Sequence, residues 1–360
     1  MSVSLRVVLD QLVSPTSGDL ESASRELALA LIDTAPLGCR VEAIAPAGEA
    51  LAVPGLAGEK RMRFARRELA ASWQLGVTPG VGGGMIHSPT LMAPLVRHDR
   101  VNDGDQTVVT IWDLTAWEHA AELPKPEVAW HRAMLRRAAK HADAIVVPTH
   151  AIAERLAGHI DLDERVRVIA GGVSTGFAVP SDADARRRDL GLPDEYVATS
   201  GGVAPSDGLE TAMRAAAATT LDVVVLGVPE GSEPAIADIA AAAGLPERRV
   251  HARGALDAAD RAAVIGGAQA FIAPSARSAW PWRATEAMAL GTPLVAVDSP
   301  VHREVVYDGG LFVSEGDLGE ALRSAIGSSR NRLSVLGRDR AKAFTWQGAA
   351  EKVWQLHADL

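Results

Sequence analysis

The segment 270–297 reads AFIAPSARSAWPWRATEAMALGTPLVAV. Its two ends, Ala270–Ala273 and Leu294–Val297, are short apolar runs, and the stretch Arg283–Leu290 between them has a helical pattern. An apolar run, a helix and a second apolar run are typical of a βαβ unit, whose two strands lie parallel. The segment therefore predicts an α/β fold with a parallel sheet.

The same alternation of short apolar runs and helical patterns recurs on both sides of this segment. Further runs that predict strands are Leu5–Leu9, Val41–Ala45, Met85–His87, Thr107–Ile111, Ala144–Val147, Val166–Ile169, Tyr196–Thr199, Leu221–Leu226 and Val250–His251. Helical patterns lie at Glu21–Asp33, Glu127–Ala142, Ile152–Leu156, Gly208–Ala217, Ala235–Ala243 and Ala258–Gly266. Two such series predict two Rossmann-like domains that face each other across a cleft.

The boundary between the two domains is predicted at Gly171–Asp194, where Gly, Pro, Ser and Asp concentrate and no periodic pattern persists. We assign residues 1–175 to an N-terminal domain and 176–345 to a C-terminal domain. The stretch between Val41–Ala45 and Met85–His87 is rich in loop residues. The last segment, Trp346–Leu360, predicts an amphipathic helix.

The composition is that of a globular protein with more than one core. The length of 360 residues suggests two domains, and 48% hydrophobic with 22% charged residues argue against disorder. The formal net charge is −9 and no Lys/Arg run is long enough to follow a polyanion, so we expect no nucleic-acid partner. The single cysteine, Cys39, excludes an intrachain disulfide and fits a reducing cytoplasm.

No stretch of the sequence predicts a membrane span or a secretion signal. The Ala-rich segments Ala212–Ala218 and Ala235–Ala243 are interrupted by charge or flanked by Gly and are much shorter than a span. The first residues lead directly into a strand and lack an apolar signal core. We expect a cytoplasmic protein, and a peripheral contact with the inner face of the membrane stays open.

Eight segments resemble, in order and spacing, the glycosyltransferases of family 4, which have the GT-B fold. They are MIHSP at 85–89, VTIWDL at 109–114, ADAIVVPT at 142–149, VRVIAGGV at 166–173, GGVAPSDGL at 201–209, RVHARG at 249–254, PS at 274–275 with EAMALGTP at 286–293, and FTW at 344–346. Each segment alone is a weak signal, whereas eight segments in sequence order strongly indicate the fold.

The resemblance implies a division of labour between the domains. The C-terminal domain would bind a UDP- or GDP-sugar, and the N-terminal domain a glycan-type acceptor that receives a hexose with retention. The last helix, 346–360, would cross back to pack on the N-terminal domain. Members hold no metal through a fixed Asp-x-Asp pair, so we expect neither a metal nor a covalently bound cofactor.

The resemblance also places the donor diphosphate in the C-terminal domain. Because negative charge grows on the leaving diphosphate, fixed donors and cations aimed at it are the main catalytic device. The family supplies an Arg and a Lys in the motif E-P-R-K-G, and Ser206 and Asp207 stand at those two positions. A hydroxyl donates one hydrogen bond, but an aspartate brings like charge to a dianion. Gly201, Gly202 and Arg253 complete the expected donor contacts on this side.

Two carboxylates form the family's E-x7-E motif. Glu286 matches the second, which accepts hydrogen bonds from the ribose hydroxyls of the nucleotide. A second interpretation of Glu286 is an acidic residue near a helix start that favours the helix macrodipole. The first Glu of the motif falls on Ser278, which we keep as a candidate catalytic position.

The loop before Glu286 departs from the family's G-F-G-L-P. In the family this loop presents backbone N–H groups to the sugar and phosphates. Pro281 removes one donor, and Trp280 and Trp282 add bulk where glycines left room. Arg283 can restore a cation near the phosphates, or it can be a solvated residue at a helix start.

On the acceptor side the family places a His before Asp in H-D-L, and this sequence has Trp112 before Asp113. No proton acceptor remains at that position, although a Trp ring can stack on a sugar face. His87 and His119 are candidates to substitute for the missing His, and each has a purely structural alternative. The N-terminal glycine loop keeps only Gly18.

Carboxylates stand at the other two positions of that loop, Asp19 and Glu21. Close approach of the backbone to a diphosphate is difficult beside two negative charges. The departures at both loops therefore act in one direction, because each removes positive charge, adds negative charge or blocks the backbone where a diphosphate would lie.

Two hypotheses follow. The first is an active glycosyltransferase with an altered donor site that uses Arg283, Ser206 and helix N-termini. The second is a catalytically silent homologue that binds a second glycosyltransferase subunit, a glycan or a regulatory nucleotide. A nucleotide-binding enzyme of another class, such as an epimerase, is disfavoured because Gly-x-Gly-x-x-Gly after the first strand and Tyr-x-x-x-Lys are both missing.

Overall fold

A computed structural model describes residues 3–99, 104–276 and 280–360. The chain divides into two compact units, which are described here one at a time. The first unit contains Met1–Ser174 and Thr345–Leu360, and the second contains Thr175–Phe344.

The first unit is built on a seven-stranded parallel sheet with the order β3-β2-β1-β4-β5-β6-β7. Its strands are β1 Val3–Val8, β2 Cys39–Ala45, β3 Gly58–Arg61, β4 Met85–Ser88, β5 Gln106–Thr110, β6 Ala144–Val147 and β7 Val166–Val168. Its helices, apart from the last of the chain, are α1 Gly18–Asp33, α2 Arg66–Gln74, α3 Thr115–Glu118, α4 Lys125–His141 and α5 His150–Ala157.

The second unit has a six-stranded parallel sheet with the order β10-β9-β8-β11-β12-β13. Its strands are β8 Tyr196–Ser200, β9 Asp222–Leu226, β10 Val250–Arg253, β11 Phe271–Ala273, β12 Leu294–Val297 and β13 Leu311–Val313. Its helices are α6 Ala183–Asp189, α7 Leu209–Ala217, α8 Glu233–Ala242, α9 Ala258–Gly267, α10 Trp282–Leu290, α11 Pro300–Val305, α12 Leu318–Ile326 and α13 Arg330–Ala341.

The cores explain why the apolar runs form these sheets. Val223, Val224 and Val225 of β9 are all fully buried, as expected for a parallel strand that is covered on both faces. In the first unit, Trp73 of α2 is fully buried in one cluster with Val8 and other strand residues. Burial of large aromatic side chains contributes much of the stability of such cores, and truncation of a buried Trp costs about 3–5 kcal/mol.

Helix α14, Trp346–Asp359, returns to the first unit and packs on α1. Thr345 caps it, since its side chain accepts a hydrogen bond of 3.1 Å from the N–H of Gly348. Trp354 donates its indole N–H to the carbonyl of Leu31 at 3.1 Å. The chain passes so close to this helix that a Cβ atom on Gly172 would lie 2.5 Å from the N atom of Trp346.

The predicted α/β class with two parallel sheets is confirmed, but several elements escaped the sequence patterns. Strand β3 and helix α2 lie in the stretch that is rich in loop residues. Strand β3 could not be predicted because it is a polar edge strand without an apolar run. Helix α6 lies inside the segment predicted to lack periodic structure. It has no apolar stripe and is held through Arg186, which bonds Asp260 of α9 at 2.7 Å.

Further elements near the C-terminus of the second unit, β13 and α11 to α13, were also not predicted. Among the described residues, no helix combines the length and apolarity needed to cross a lipid bilayer.

Two buried histidines lie together in the first unit. The ring centroids of His87 in β4 and His357 in α14 are 5.6 Å apart in an edge-on arrangement. Nδ1 of His357 faces Oε1 of Gln106 at 2.9 Å, whereas its Nε2 and both nitrogens of His87 are buried with no partner among the described residues. Burial lowers the pKa of His357 to about 4, and it lowers the pKa of His87 well below its ordinary value.

We expect the first unit to lose stability as the pH falls from 7 to 5. The unfolded chain binds protons near pH 6.5 that the folded histidines do not bind, so stability is present above pH 6.5 and is lost toward pH 4. At pH 5 the loss for His357 alone is about 2 kcal/mol. Urea unfolding at both pH values measures it. His357→Leu should flatten the dependence, and the exposed control His150→Gln should not. Equal pH dependence in both variants would contradict the assignment.

Candidate functional site

The topology of the second unit identifies the edge at which a ligand would bind. Connections from β8 run toward β9 and β10, whereas β11, β12 and β13 lie on the other side of β8. The order of the strands therefore reverses between β8 and β11. In doubly wound sheets, ligands bind at such a switch point, beyond the carboxyl ends of the strands. The described residues that follow these two strands are 201–208 after β8, and 274–276 and 280–281 after β11.

These two loops are joined to each other. The hydroxyl of Ser275 donates to the backbone carbonyl of Ser206 at 3.0 Å. Gly208 has a φ of 73°, and a Cβ atom there would lie 2.6 Å from the carbonyl oxygen of Pro274. Only glycine fits this close contact in the left-handed conformation without displacing backbone. The residues just before α7 and the first two residues after β11 therefore lie against each other.

Asp207 lies inside the glycine loop. Its Oδ2 accepts a hydrogen bond from the backbone N–H of Gly202 at 2.9 Å. Gly201 has a φ of 147°, and a Cβ atom on it would lie 3.3 Å from Cβ of Asp207. Backbone N–H groups of glycine loops are the groups that hold phosphate oxygens in nucleotide sites. Here an internal carboxylate already occupies one of them and adds negative charge to the loop.

Glu286 is held between two arginines in the second turn of α10, so the alternative interpretation of Glu286 as a first-turn acid that favours the macrodipole is wrong. It is only 7% exposed. Nε of Arg261 lies 3.0 Å from both carboxylate oxygens, and Nη2 of the same residue lies 2.9 Å from Oε1. Nη1 of Arg283 lies 2.9 Å from Oε2. A carboxylate has about four acceptor positions, so three N–H donors leave little capacity for a ribose hydroxyl. We call Arg261 and Arg283 the arginine pair.

The other predicted donor contact, Arg253, is committed to the backbone. Its Nε donates to the carbonyl of Leu190 at 3.0 Å, its Nη2 to the carbonyl of Gly191 at 3.2 Å, and its Nη1 to that of Ala252 at 2.7 Å. Burial lowers the pKa of this guanidinium. The contacts give Arg253 a structural role, as a cap on the carboxyl end of α6.

Trp280, in the loop that differs from the family's G-F-G-L-P, does not fill the ligand edge. Trp280 is 2% exposed, and its ring centroid lies 5.3 Å from that of Phe344 and 6.3 Å from that of Trp282. Its bulk is therefore absorbed within the second unit, contrary to the expectation that it fills space left by a glycine. Pro281 stands at the N-cap of α10. Ser278, the position of the first Glu of the motif, lies outside the described residues.

Trp112 in the first unit is also a packing residue. It is 9% exposed, donates its indole N–H to the carbonyl of Pro89 at 2.8 Å, and lies edge-on to Trp346 with ring centroids 6.3 Å apart. The ring is largely enclosed by these contacts, and the stacking of its face on a sugar stays a prediction. Asp113 is exposed, and its Oδ1 accepts from the N–H of Thr115 at 2.9 Å, which forms an Asx turn just before α3.

The two histidines proposed to replace the missing proton acceptor differ in exposure. His87 is buried within the sheet beside His357, so it has the structural role. His119 lies at the end of α3 with a side chain 35% exposed, and its Nδ1 is 4.0 Å from Oε1 of Glu122. Of the two, only His119 is accessible to an acceptor.

Gly18 is the first residue of α1 and not part of an open loop. Ser17 caps this helix, accepting from the N–H of Leu20 at 3.1 Å. Asp19 and Glu21 fall in the first turn, where negative charge interacts favourably with the macrodipole, and Glu21 pairs with Arg25 at 3.5 Å. The two carboxylates that were expected to repel a diphosphate therefore help to start a helix.

The sequence patterns missed a buried carboxylate in the first unit. The order of its sheet reverses between β1 and β4, and Asp10 follows β1 directly at this switch point. Its Oδ2 accepts from Gln11 Nε2 and from Arg66 Nε, both at 2.7 Å, while its Oδ1 is buried without a partner in the described part of the chain. Burial raises its pKa. Two polar residues immediately after an apolar strand were the available signal.

A cavity of about 850 Å³ in the first unit lies away from the switch point at Asp10. It is lined by Gly82, Gly84, His98 and Asp105, at the amino ends of β4 and β5. His98 there is bonded to Asp143 at 2.9 Å. This edge of the sheet is opposite to the switch point. In the described residues, no group of His, Cys, Asp or Glu side chains has the arrangement of a metal site.

The topology and the loop chemistry together define a class of protein. Each unit is a doubly wound α/β structure, and the second has a glycine loop and a helix start at its switch point, as nucleotide-binding units do.

Comparisons with known proteins specify the family. Residues 194–329 match the family model described as "Glycosyl transferases group 1", and residues 85–177 match "Glycosyltransferase Family 4". The chain belongs to glycosyltransferase family 4, and it has the GT-B fold.

Two relatives are D-inositol 3-phosphate glycosyltransferases. The one from Rhodococcus opacus is 31% identical over 254 residues, which are 64% of this chain and 56% of the relative. The one from Nocardioides sp. is 27% identical over 301 residues, covering 76% and 61%. The matched region is thus less than two thirds of the length of these relatives.

Two solved structures share the fold. Sucrose-phosphate synthase from Thermosynechococcus elongatus has a TM-score of 0.74 at 19% identity, covering 99% of this chain and 98% of the other. Anabaena Alr3699/HepE in complex with UDP and glucose has a TM-score of 0.73 at 16% identity, covering all of both chains.

We expect Asp207→Asn to increase the affinity for a diphosphate. The amide keeps an acceptor for the N–H of Gly202 but removes the negative charge. Repulsion between two like charges at contact distance is on the order of 1–4 kcal/mol. The variant should therefore bind UDP or GDP about tenfold more tightly. Calorimetric titration at low salt measures it. The control is Asp238→Asn, an exposed residue of α8. If the two variants bind UDP and GDP equally well, Asp207 does not repel the diphosphate.

Proposed function

We propose that the protein transfers a hexose from a UDP- or GDP-sugar to a hydroxyl of a glycan-type acceptor, with retention. The observation that carries the proposal is the buried Glu286 carboxylate in the second turn of α10, the helix that follows the switch-point strand β11 in the unit that matches the glycosyltransferase model. Glu286 is the position that aligns with the ribose-binding carboxylate of the family. The nucleotide would therefore bind along the carboxyl ends of β8 and β11.

The chemistry requires positive charge at the donor phosphates. In the transfer, the bond from the anomeric carbon to the diphosphate oxygen breaks and a bond to the acceptor oxygen forms. The diphosphate leaves with the electron pair, and the proton of the acceptor hydroxyl passes to it. Arg283 and the N-terminal end of α10 would stabilise the negative charge that grows on the diphosphate.

The acceptor would bind at the switch point of the first unit. Asp10 and Arg66 form a buried charged corner there, and a carboxylate and a guanidinium are suited to hydroxyl and anionic groups of a polyol or sugar. The relatives are named for an acceptor of that kind, D-inositol 3-phosphate. For this chain we propose only the broader class, an acceptor rich in hydroxyl groups.

A second candidate function is that of a catalytically silent homologue that binds a partner glycosyltransferase, a glycan or a regulatory nucleotide. Asp207 favours it, because its carboxylate holds the N–H of Gly202 where a phosphate oxygen would bind. The three N–H donors around Glu286 favour it also.

Titration of the purified protein with UDP, GDP and their hexose conjugates separates the two functions. The transferase proposal expects micromolar binding of one nucleotide and slow hydrolysis of its sugar conjugate. Glu286→Gln should weaken that binding at least about tenfold, since a lost hydrogen bond to a charged group is worth roughly 1.5–3 kcal/mol. The matched control is Glu210→Ala, an exposed residue of α7 paired with Arg214.

The opposite results would overturn the transferase proposal. A millimolar or absent response to every nucleotide and nucleotide sugar argues for the silent homologue, and stable co-purification with an active glycosyltransferase would support that function. Thermal unfolding of each variant controls for the buried charge that is left when Glu286 is altered.

A further inference from the structure

The arginine pair places two guanidinium groups near the ligand edge of the second unit. Two guanidinium groups share one carboxylate, which leaves a net charge of +1 at the start of α10. Arg261 comes from α9 and lies 25 residues before Glu286 in sequence. The family motifs gave no reason to select it.

Contacts on several sides fix the guanidinium of Arg261. Besides its bonds to Glu286, it donates from Nη1 to the carbonyl of Leu256 at 3.2 Å. It lies over the ring of Phe177, 5.5 Å from the centroid. Asp257 caps α9, accepting from the N–H of Asp260 at 2.8 Å, and so sets the start of the helix that carries Arg261. A cation held in this way loses little freedom when an anion binds.

Arg283 stands at an unfavourable place for a cation. It is the second residue of α10, and the N-terminal end of a helix has a partial positive charge that favours anions. Glu286, one turn later, offsets part of this repulsion. The positive potential of the helix end adds to that of both guanidinium groups. Close to this end, the indole N–H of Trp280 is buried without a partner among the described residues.

The positions that supply cations in the family hold none in this chain. Ser206 is neutral, and Asp207 is negative and bonded to the loop. A diphosphate with about two negative charges therefore needs cations from another element at the same edge. Guanidinium groups suit this task because their planar donors match phosphate oxygens in pairs.

We propose that the arginine pair binds the diphosphate of the nucleotide sugar, and that Arg261 is a phosphate-binding residue that replaces the cations lost at Ser206 and Asp207. The inference rests on the proposed function for the identity of the ligand. Glu286 holds the two guanidinium groups in place before the ligand arrives. When the diphosphate binds, its oxygens compete with the Glu286 carboxylate for the same N–H donors.

Because of this competition, the direction in which Glu286→Gln changes the affinity for pyrophosphate distinguishes phosphate binding from a purely structural ion pair. Glu286→Gln removes the competing charge, so it should tighten the binding of inorganic pyrophosphate severalfold. The same variant should weaken UDP or GDP, because those ligands also use the carboxylate through the ribose. A structural ion pair predicts only lower stability, with no gain of affinity for pyrophosphate.

The test is calorimetric titration of the full chain with inorganic pyrophosphate at pH 7 and low ionic strength. Arg261→Ala and Arg283→Ala should each weaken binding at least tenfold. Arg214→Ala, which removes an equal charge from an exposed ion pair on α7, should change it less than twofold. Because Arg261→Ala leaves the buried Glu286 carboxylate with only one of its two cations, the double variant Arg261→Ala/Glu286→Gln is included, and it should bind pyrophosphate at least tenfold more weakly than Glu286→Gln alone.

The outcomes distinguish this inference from the proposed function. If the wild type does not bind pyrophosphate, or if the double variant binds it as tightly as Glu286→Gln alone, the assignment of Arg261 is overturned. If Glu286→Gln weakens pyrophosphate binding, it is overturned as well. If the arginine variants behave as expected but the wild type neither binds nor turns over any nucleotide sugar, the proposed function fails and the arginine pair stands as an anion site.

Discussion

The burial of the Glu286 carboxylate between Arg261 and Arg283 is the constraint on which the candidate site depends. It ties α9 to the start of α10 and so sets the edge of the sheet where a nucleotide would lie. A buried ion pair contributes little net stability, because desolvation offsets most of the attraction. Removal of only one member of the pair nevertheless lowers the stability of the fold, since the other charge stays buried without a partner. The cluster is therefore better understood as a device that positions charge.

Around this cluster several polar groups in the loops of the second unit form hydrogen bonds within the unit. Asp207 accepts a hydrogen bond from the N–H of Gly202, and the hydroxyl of Ser275 donates one to the carbonyl of Ser206. Arg253 caps α6 by donating to backbone carbonyls. Each contact is local and physically ordinary. Together they replace the open, positively charged cradle of the family by a closed edge whose positive charge comes from α9 and α10. A ligand at this edge must compete with these internal bonds.

Much of the fold could be predicted from the sequence because parallel strands are apolar throughout. Val223–Val225 is one example, and the predicted strands of both units lie within two residues of the observed ones. Strand β3 and helix α6 could not be predicted in this way. Both are polar, and their stability comes from neighbours, the register with β2 for β3 and the bond between Arg186 and Asp260 for α6. Hydrophobic periodicity in a sequence arises from a buried face, so it cannot predict elements that have no buried apolar stripe.

The sequence by itself determined the α/β class, the family and the positions where the donor motifs depart from it. The tertiary structure decided what the substituted residues do. It enclosed Trp112 and His87, put Gly18 into a helix, and brought Arg261 to Glu286 across 25 residues of chain. The physical reason is that local pattern depends on burial and spacing along the chain. Charge pairing and hydrogen bonding between separate elements depend instead on which strand ends meet at one edge of the sheet.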